Sequence, residues 1–184
     1  MAGCCNSCGE TVETRVVRLK FLRKELLYDA KNYAFVEADV MGEPGVRADD
    51  KTQHAQHQLA DIGETGNVDR VSRILSVVHT EVIEMLYPYT KEEPVEEVID
   101  DKLETPEEYE VVLTVPVTVS RTTMKHLSKL IHEYMVYRVM ADWLSITNPP
   151  ASAHWMEKAE ATQGQIEKTK GMHRKPLTRK MSTF

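Results

Sequence analysis

No stretch of the chain approaches the roughly 18 to 20 consecutive apolar residues needed to cross a bilayer, which excludes a membrane-spanning protein. Cysteine is scarce and badly placed for a structural staple, since Cys4, Cys5 and Cys8 all fall within the first ten residues. An odd number of thiols in one short polar stretch is a poor disulfide framework and points to a reducing compartment. The Cys5-x-x-Cys8 spacing is half a zinc site, but a structural zinc takes four ligands and no second pair follows. The opening MAGCCNSCGE has neither a basic stretch nor an apolar one, so no secretory leader is expected. A cytoplasmic place of work or of assembly follows as the expectation. Phosphate-cradling loops are missing too, with neither G-x-x-x-x-G-K-[ST] nor G-x-G-x-x-G in the chain.

What is there suffices for one core. The 184 residues are 41% hydrophobic, and the apolar positions form segments long enough to fold as a single globular domain with tails. The net charge of -6 hides an uneven distribution. From Lys91 to Glu110 the acidic residues are Glu92, Glu93, Glu96, Glu97, Asp100, Asp101, Glu104, Glu107, Glu108 and Glu110, against Lys91 and Lys102 alone. Beyond Glu167 the sign reverses, with Lys168, Lys170, Arg174, Lys175, Arg179 and Lys180 and no carboxylate. Opposed blocks of this kind serve either as solvated segments or as two halves of an electrostatic contact between subunits. The expected layout is a flexible tail over 1–13, one helical domain over 14–167 with an acidic loop at 91–108, and a basic tail over 168–184.

Residues Thr14 to Phe21 alternate, with Val17, Leu19 and Phe21 on one side and Arg18 and Lys20 on the other, the period of a half-buried strand or extended arm. From Arg23 to Met41 the positions Leu26, Leu27, Ala30, Tyr33, Ala34 and Val40 follow helical spacing until Gly42, Pro44 and Gly45. A short surface helix with Ala55, Leu59 and Ile62 on a narrow stripe comes next. After Gly66, Asn67 is placed to cap a helix whose Val71, Ile74, Leu75, Val78, Val82, Met85 and Leu86 make a continuous apolar face, and Pro88 ends it. Tyr109, Val111, Leu113, Val115, Val117 and Val119 alternate with polar residues as a strand that lies at an edge or stops pairing at Pro116. Ser120 is placed to cap a long helix whose second half, with Tyr134, Met135, Val136, Tyr137, Val139, Met140, Trp143 and Leu144, is apolar nearly all round and therefore central. Asn148-Pro149-Pro150 breaks it, and a last helix carries Trp155, Ala159, Thr162 and Ile166 on one face. The fold class expected is mainly α, a bundle of about four to five helices with a small β element.

The chemistry-bearing residues form no catalytic constellation. His54 and His57 sit three apart and share a helix face, with Asp50 or Asp61 available as a third ligand, but H-E-x-x-H is missing and a polar surface helix carries histidines by chance. His126 and His132 point to different faces of their helix, and His79 falls on a polar face and is expected to be solvated. The run Asp61 to Asp69 has the oxygen donors and glycines of a calcium loop, yet its twelfth position is Ser72 where a bidentate glutamate is needed. A tight turn leading into a helix accounts for the same residues. Trp143 and Trp155 fall in helices, where packing is the commoner use. The expectation is a non-enzyme with no catalytic residue, no cofactor and no metal.

The segment DIGETGNVDRVSRILSVVHTEVIEMLYPYT, then VPVTVS, the aromatic-rich helix LIHEYMVYRVMADWL and the tryptophan-bearing HWMEKAEATQGQI, resembles the small helical adaptors of tailed bacteriophages. Those head-tail connector, or neck, proteins form rings beneath the portal. The likeness runs from about Asp61 to Lys180 and is one of element order and composition; the N-terminal strand and helix and the long acidic loop depart from the usual adaptor. It implies a structural virion protein at the head-tail interface, assembled in the host cytoplasm into a homo-oligomeric ring. The implied partners are the portal protein and adjacent neck or tail proteins, with DNA passing through the channel without sequence-specific binding. Tail-completion and tail-terminator proteins carry similar elements, and a small nucleic-acid-binding regulatory protein is the alternative from a different class. Under the ring expectation, Lys168, Lys170, Arg174, Lys175, Arg179 and Lys180 dock on a partner. Glu92, Glu93, Glu96, Glu97, Asp100, Asp101, Tyr109, Val111, Leu113 and Val115 meet a neighbouring subunit or face the channel.

Overall fold

The computed structural model describes residues 13–40, 62, 66–91 and 105–171. Strand β1 (Thr14–Leu22) runs into helix α1 (Arg23–Val40); α2 spans Val68–Met85, β2 Glu108–Pro116, α3 Arg121–Thr147 and α4 Pro149–Gly171. Among the described residues, four helices and one antiparallel ribbon make a mainly helical bundle with a small β element, the class the apolar periodicities predict.

The ribbon exists because two alternating segments bury the same face. The register sets Val17 against Leu113, Leu19 against Val111 and Phe21 against Tyr109, so one face of the pair is apolar and turned inward. Leu19, Phe21, Tyr109, Val111, Leu113 and Val115 are all buried. The outer face carries Arg18 bonded to Glu110 at 3.2 Å and Lys20 bonded to Glu108. Pairing stops at Pro116, as a residue without an amide donor requires. Val117 therefore leaves the alternation and is exposed, a correction to its expected inward position, whereas Val119 turns back into the core.

Helix α3 is the axis of the bundle, with α1, α2 and α4 all packed against it. Ser120 Oγ accepts the Thr123 amide at 3.1 Å, fixing its start as a cap should. From Tyr134 to Leu144 it is buried on most sides, with Met135, Met140 and Leu144 fully enclosed. Asn148 ends it and Pro149 opens α4, where proline's missing amide costs nothing because first-turn amides have no intrahelical acceptor. Trp155, Ala159, Thr162 and Ile166 form the buried stripe of α4, as their spacing predicts.

Two expectations at helix ends need correction. Asn67 stands at the N-cap of α2 but its side chain makes no cap hydrogen bond, because its backbone is already helical rather than extended; the Val71 amide instead bonds the Asn67 carbonyl at 3.1 Å. Helix α4 runs on to Gly171, so Lys168 and Lys170 belong to its last turn and not to a tail. The short helix expected around Ala55 and Leu59 lies outside the described residues, although Ile62 is buried in the core.

Candidate functional site

A cleft of about 460 Å³ is bounded by α2, α3 and α4. Its place follows from the sequence of α3, where Arg138 interrupts a run of apolar residues. A guanidinium on such a helix must find a carboxylate, and α2 supplies Glu81. Arg138 Nη2 donates to Glu81 Oε1 at 2.9 Å and Nε to Oε2 at 3.3 Å, while Tyr134 Oη donates to Oε2 at 3.0 Å. Burial, together with the hydrogen bond and charge of Glu81, pushes the Tyr134 phenol up to about 12, so it remains a neutral donor. Burial acts against the Arg138 charge, and the Glu81 hydrogen bond and charge outweigh it to hold its pKa above the ordinary value. Both carboxylate oxygens are thereby committed. Met85, Met156 and Ala159 give the cleft an apolar floor, and Glu84, Glu160 and Gln163 stand around it.

Above the N-terminal part of α4, Tyr33 of α1, Tyr137 of α3 and Trp155 of α4 form an aromatic cluster with centroids 4.9 to 6.2 Å apart. Trp155 Nε1 donates to Glu37 at 2.9 Å, and the Lys158 ammonium lies 4.1 Å from the Trp155 ring centroid. The buried indole joins α1, α3 and α4, which makes Trp155 a packing residue. Trp143 is buried in the same sense, with the Arg70 guanidinium 5.2 Å from its ring centroid.

His79 is half-buried, not solvated. Its Nε2–H donates to the Glu110 carbonyl at 2.9 Å, and its ring lies 5.3 Å from Tyr109. The Tyr89 carbonyl accepts the Thr114 amide at 2.8 Å, so the outer edge of β2 is held by α2 and the turn after it. His132 pairs with Asp29 at 2.8 Å, joining α3 to α1. Neither contact was legible as a pair in the chain, because each joins residues far apart in sequence.

The expected inter-subunit residues divide. Tyr109, Val111, Leu113 and Val115 are only 0–3% exposed inside this chain's own core, so their side chains neither line a channel nor reach a neighbour. The alternation that marks them as a strand is the mark of burial in this chain's own core. Glu92, Glu93, Glu96, Glu97, Asp100 and Asp101 lie outside the described residues, as do Arg174, Lys175, Arg179, Lys180, His54, His57, Asp50, Asp61 and the three cysteines. Of the basic set, Lys170 is turned inward, its ammonium bonding the Met85 carbonyl at 2.5 Å and closing the C-terminal end of α2.

Another feature lies on the far side of α1. Ala30, Ala34 and Ala38 follow Leu26 at four-residue steps and face the core. Tyr28 and Phe35, seven apart and so on one face, are 64% and 66% exposed, with Val36 beside them at 56%. Among the described residues no cluster of histidine, cysteine and carboxylates is arranged to hold a metal, and no helix is long and apolar enough to cross a membrane. No family model, curated protein or solved structure matches the chain.

Proposed function

We propose that this chain is a structural subunit that acts by stoichiometric assembly, and that its place is the neck of a tailed phage, as a head-tail adaptor in a ring beneath the portal. The observation that carries the assembly reading is the outer face of α1. Two large aromatic side chains and a valine stand in water there, although the same helix has a complete core face elsewhere. A compact chain gains nothing from presenting such a stripe to solvent, whereas a ring subunit buries it against the next copy. The opposed charge blocks, acidic between Lys91 and Glu110 and basic beyond Glu167, give the ring a means of orienting its contacts. The phage assignment draws on the likeness of element order to neck adaptors. In that setting an acidic loop at the channel would let DNA slide without sticking, and the basic residues beyond Gly171 would reach the portal or the next tail protein.

The test is the double variant Tyr28→Lys, Phe35→Lys. Both positions are exposed, so thermal unfolding should stay within a few degrees of the parent, while co-sedimentation with portal particles should fall at least tenfold. Undiminished co-sedimentation of a well-folded variant would remove α1 from the interface.

A further inference from the structure

We infer that the cleft between α2, α3 and α4 is a seat for a lysine- or arginine-bearing segment, and that its occupant is residues 172–184 of the same chain. The cleft offers what an alkyl-ammonium or guanidinium side chain needs. Met85, Met156 and Ala159 form an apolar floor for the methylene stem, and Glu84 and Glu160 stand at the rim for the charged head. Glu81 is already committed to Arg138 and Tyr134, but Glu84 and Glu160 have no ion-pair partner among the described residues. The cleft is therefore open, part apolar, and in excess of negative charge.

The same-chain occupant is chosen by reach and by charge. Lys170 bonds the carbonyl of Met85, itself a lining residue, so the last turn of α4 reaches α2 at one side of the cleft. Gly171 is the last residue of α4, and residues 172–184 follow it. Glu160 lies eleven residues back along α4, roughly 16 Å at the helical rise. An extended chain covers about 3.3 Å per residue, so Arg174 and Lys175 with their long side chains come within range of both carboxylates. The segment MHRKPLTRKMSTF carries four cations and no carboxylate. Tethering so close to the cleft gives an effective concentration in the millimolar range, well above that of any second copy in dilute solution. The inference does not depend on the phage assignment. If both hold, the docking arm is stored on its own subunit until a partner displaces it.

The experiment is limited trypsin digestion of the full chain at low salt, following cleavage after Arg174 and Arg179 by mass. The double variant Glu84→Gln, Glu160→Gln adds no cleavage site, and both positions are exposed, so thermal unfolding should confirm an intact fold. Expected are cleavage about tenfold faster in the variant than in the parent, and acceleration of the parent alone by high salt, with parent rates independent of protein concentration. Equal rates for parent and variant would overturn the cleft as the seat. Parent rates that slow as protein concentration rises would overturn the same-chain assignment in favour of a second copy's segment.

Discussion

His79 joins α2 to β2 through one hydrogen bond to the Glu110 carbonyl, and burial pushes its imidazole below the usual histidine range, with that bond opposing the shift. The unfolded chain takes up this proton near pH 6.5, the folded chain only at lower pH, so between those values the unfolded state binds more protons and stability rises with pH. The stabilisation is complete above about pH 6.5 and is lost as the pH falls through that window. Urea midpoints at about pH 7.5 and 5.5 should therefore drop less on acidification in His79→Gln than in the parent; identical drops would mean the imidazole is solvated after all. A helical wheel places His79 off the apolar face of α2 but says nothing of a strand passing there, and its partner is a backbone carbonyl that no residue type announces. The Glu81–Arg138–Tyr134 group left a fainter mark, a lone arginine within the apolar half of α3, which signals a buried partner without naming it.

Periodicity made each described helix and strand readable, because burial on one side imposes a period of about two or 3.6 residues on the sequence itself. The pairing of β1 with β2 was not readable in the same way. Nothing in Thr14–Leu22 names Glu108–Pro116 as its partner, and the same alternation that reveals a strand is equally consistent with an edge facing another subunit. Only the register shows that Tyr109 to Val115 spend their apolar face on this chain's own core. In α1 the four-residue ladder Leu26, Ala30, Ala34 and Ala38 brings a small-residue face close to the bundle, and Ala34 is fully buried. Ala34→Leu should cost about 1–3 kcal/mol by overpacking, read as a lower urea midpoint. An unchanged midpoint would mean that α1 sits loosely enough to admit three more carbons. The cap at Ser120 and the break at Asn148-Pro149 were legible because they depend on local backbone chemistry alone. The end of α4 is not legible for the opposite reason: a basic composition suggests a tail, while Thr169 is buried and Lys170 bonds the Met85 carbonyl of α2.

At the scale of the molecule, a central α3 wrapped by three helices and closed by a two-stranded ribbon leaves the chain with a complete core and an unspent aromatic face on α1. That surplus, with acidic and basic blocks at separate places in the sequence, favours a subunit whose work is association. The neck reading adds a requirement of timing, since a ring that closed before the head was filled would be of no use. The most direct measurement is the solution mass of the purified chain, alone and mixed with portal particles, by light scattering after size exclusion. Expected is a small species alone, near the 21.0 kDa of one chain, that becomes a ring of many copies on the portal. A stable monomer or dimer that ignores the portal and instead binds DNA with a steep salt dependence would contradict it.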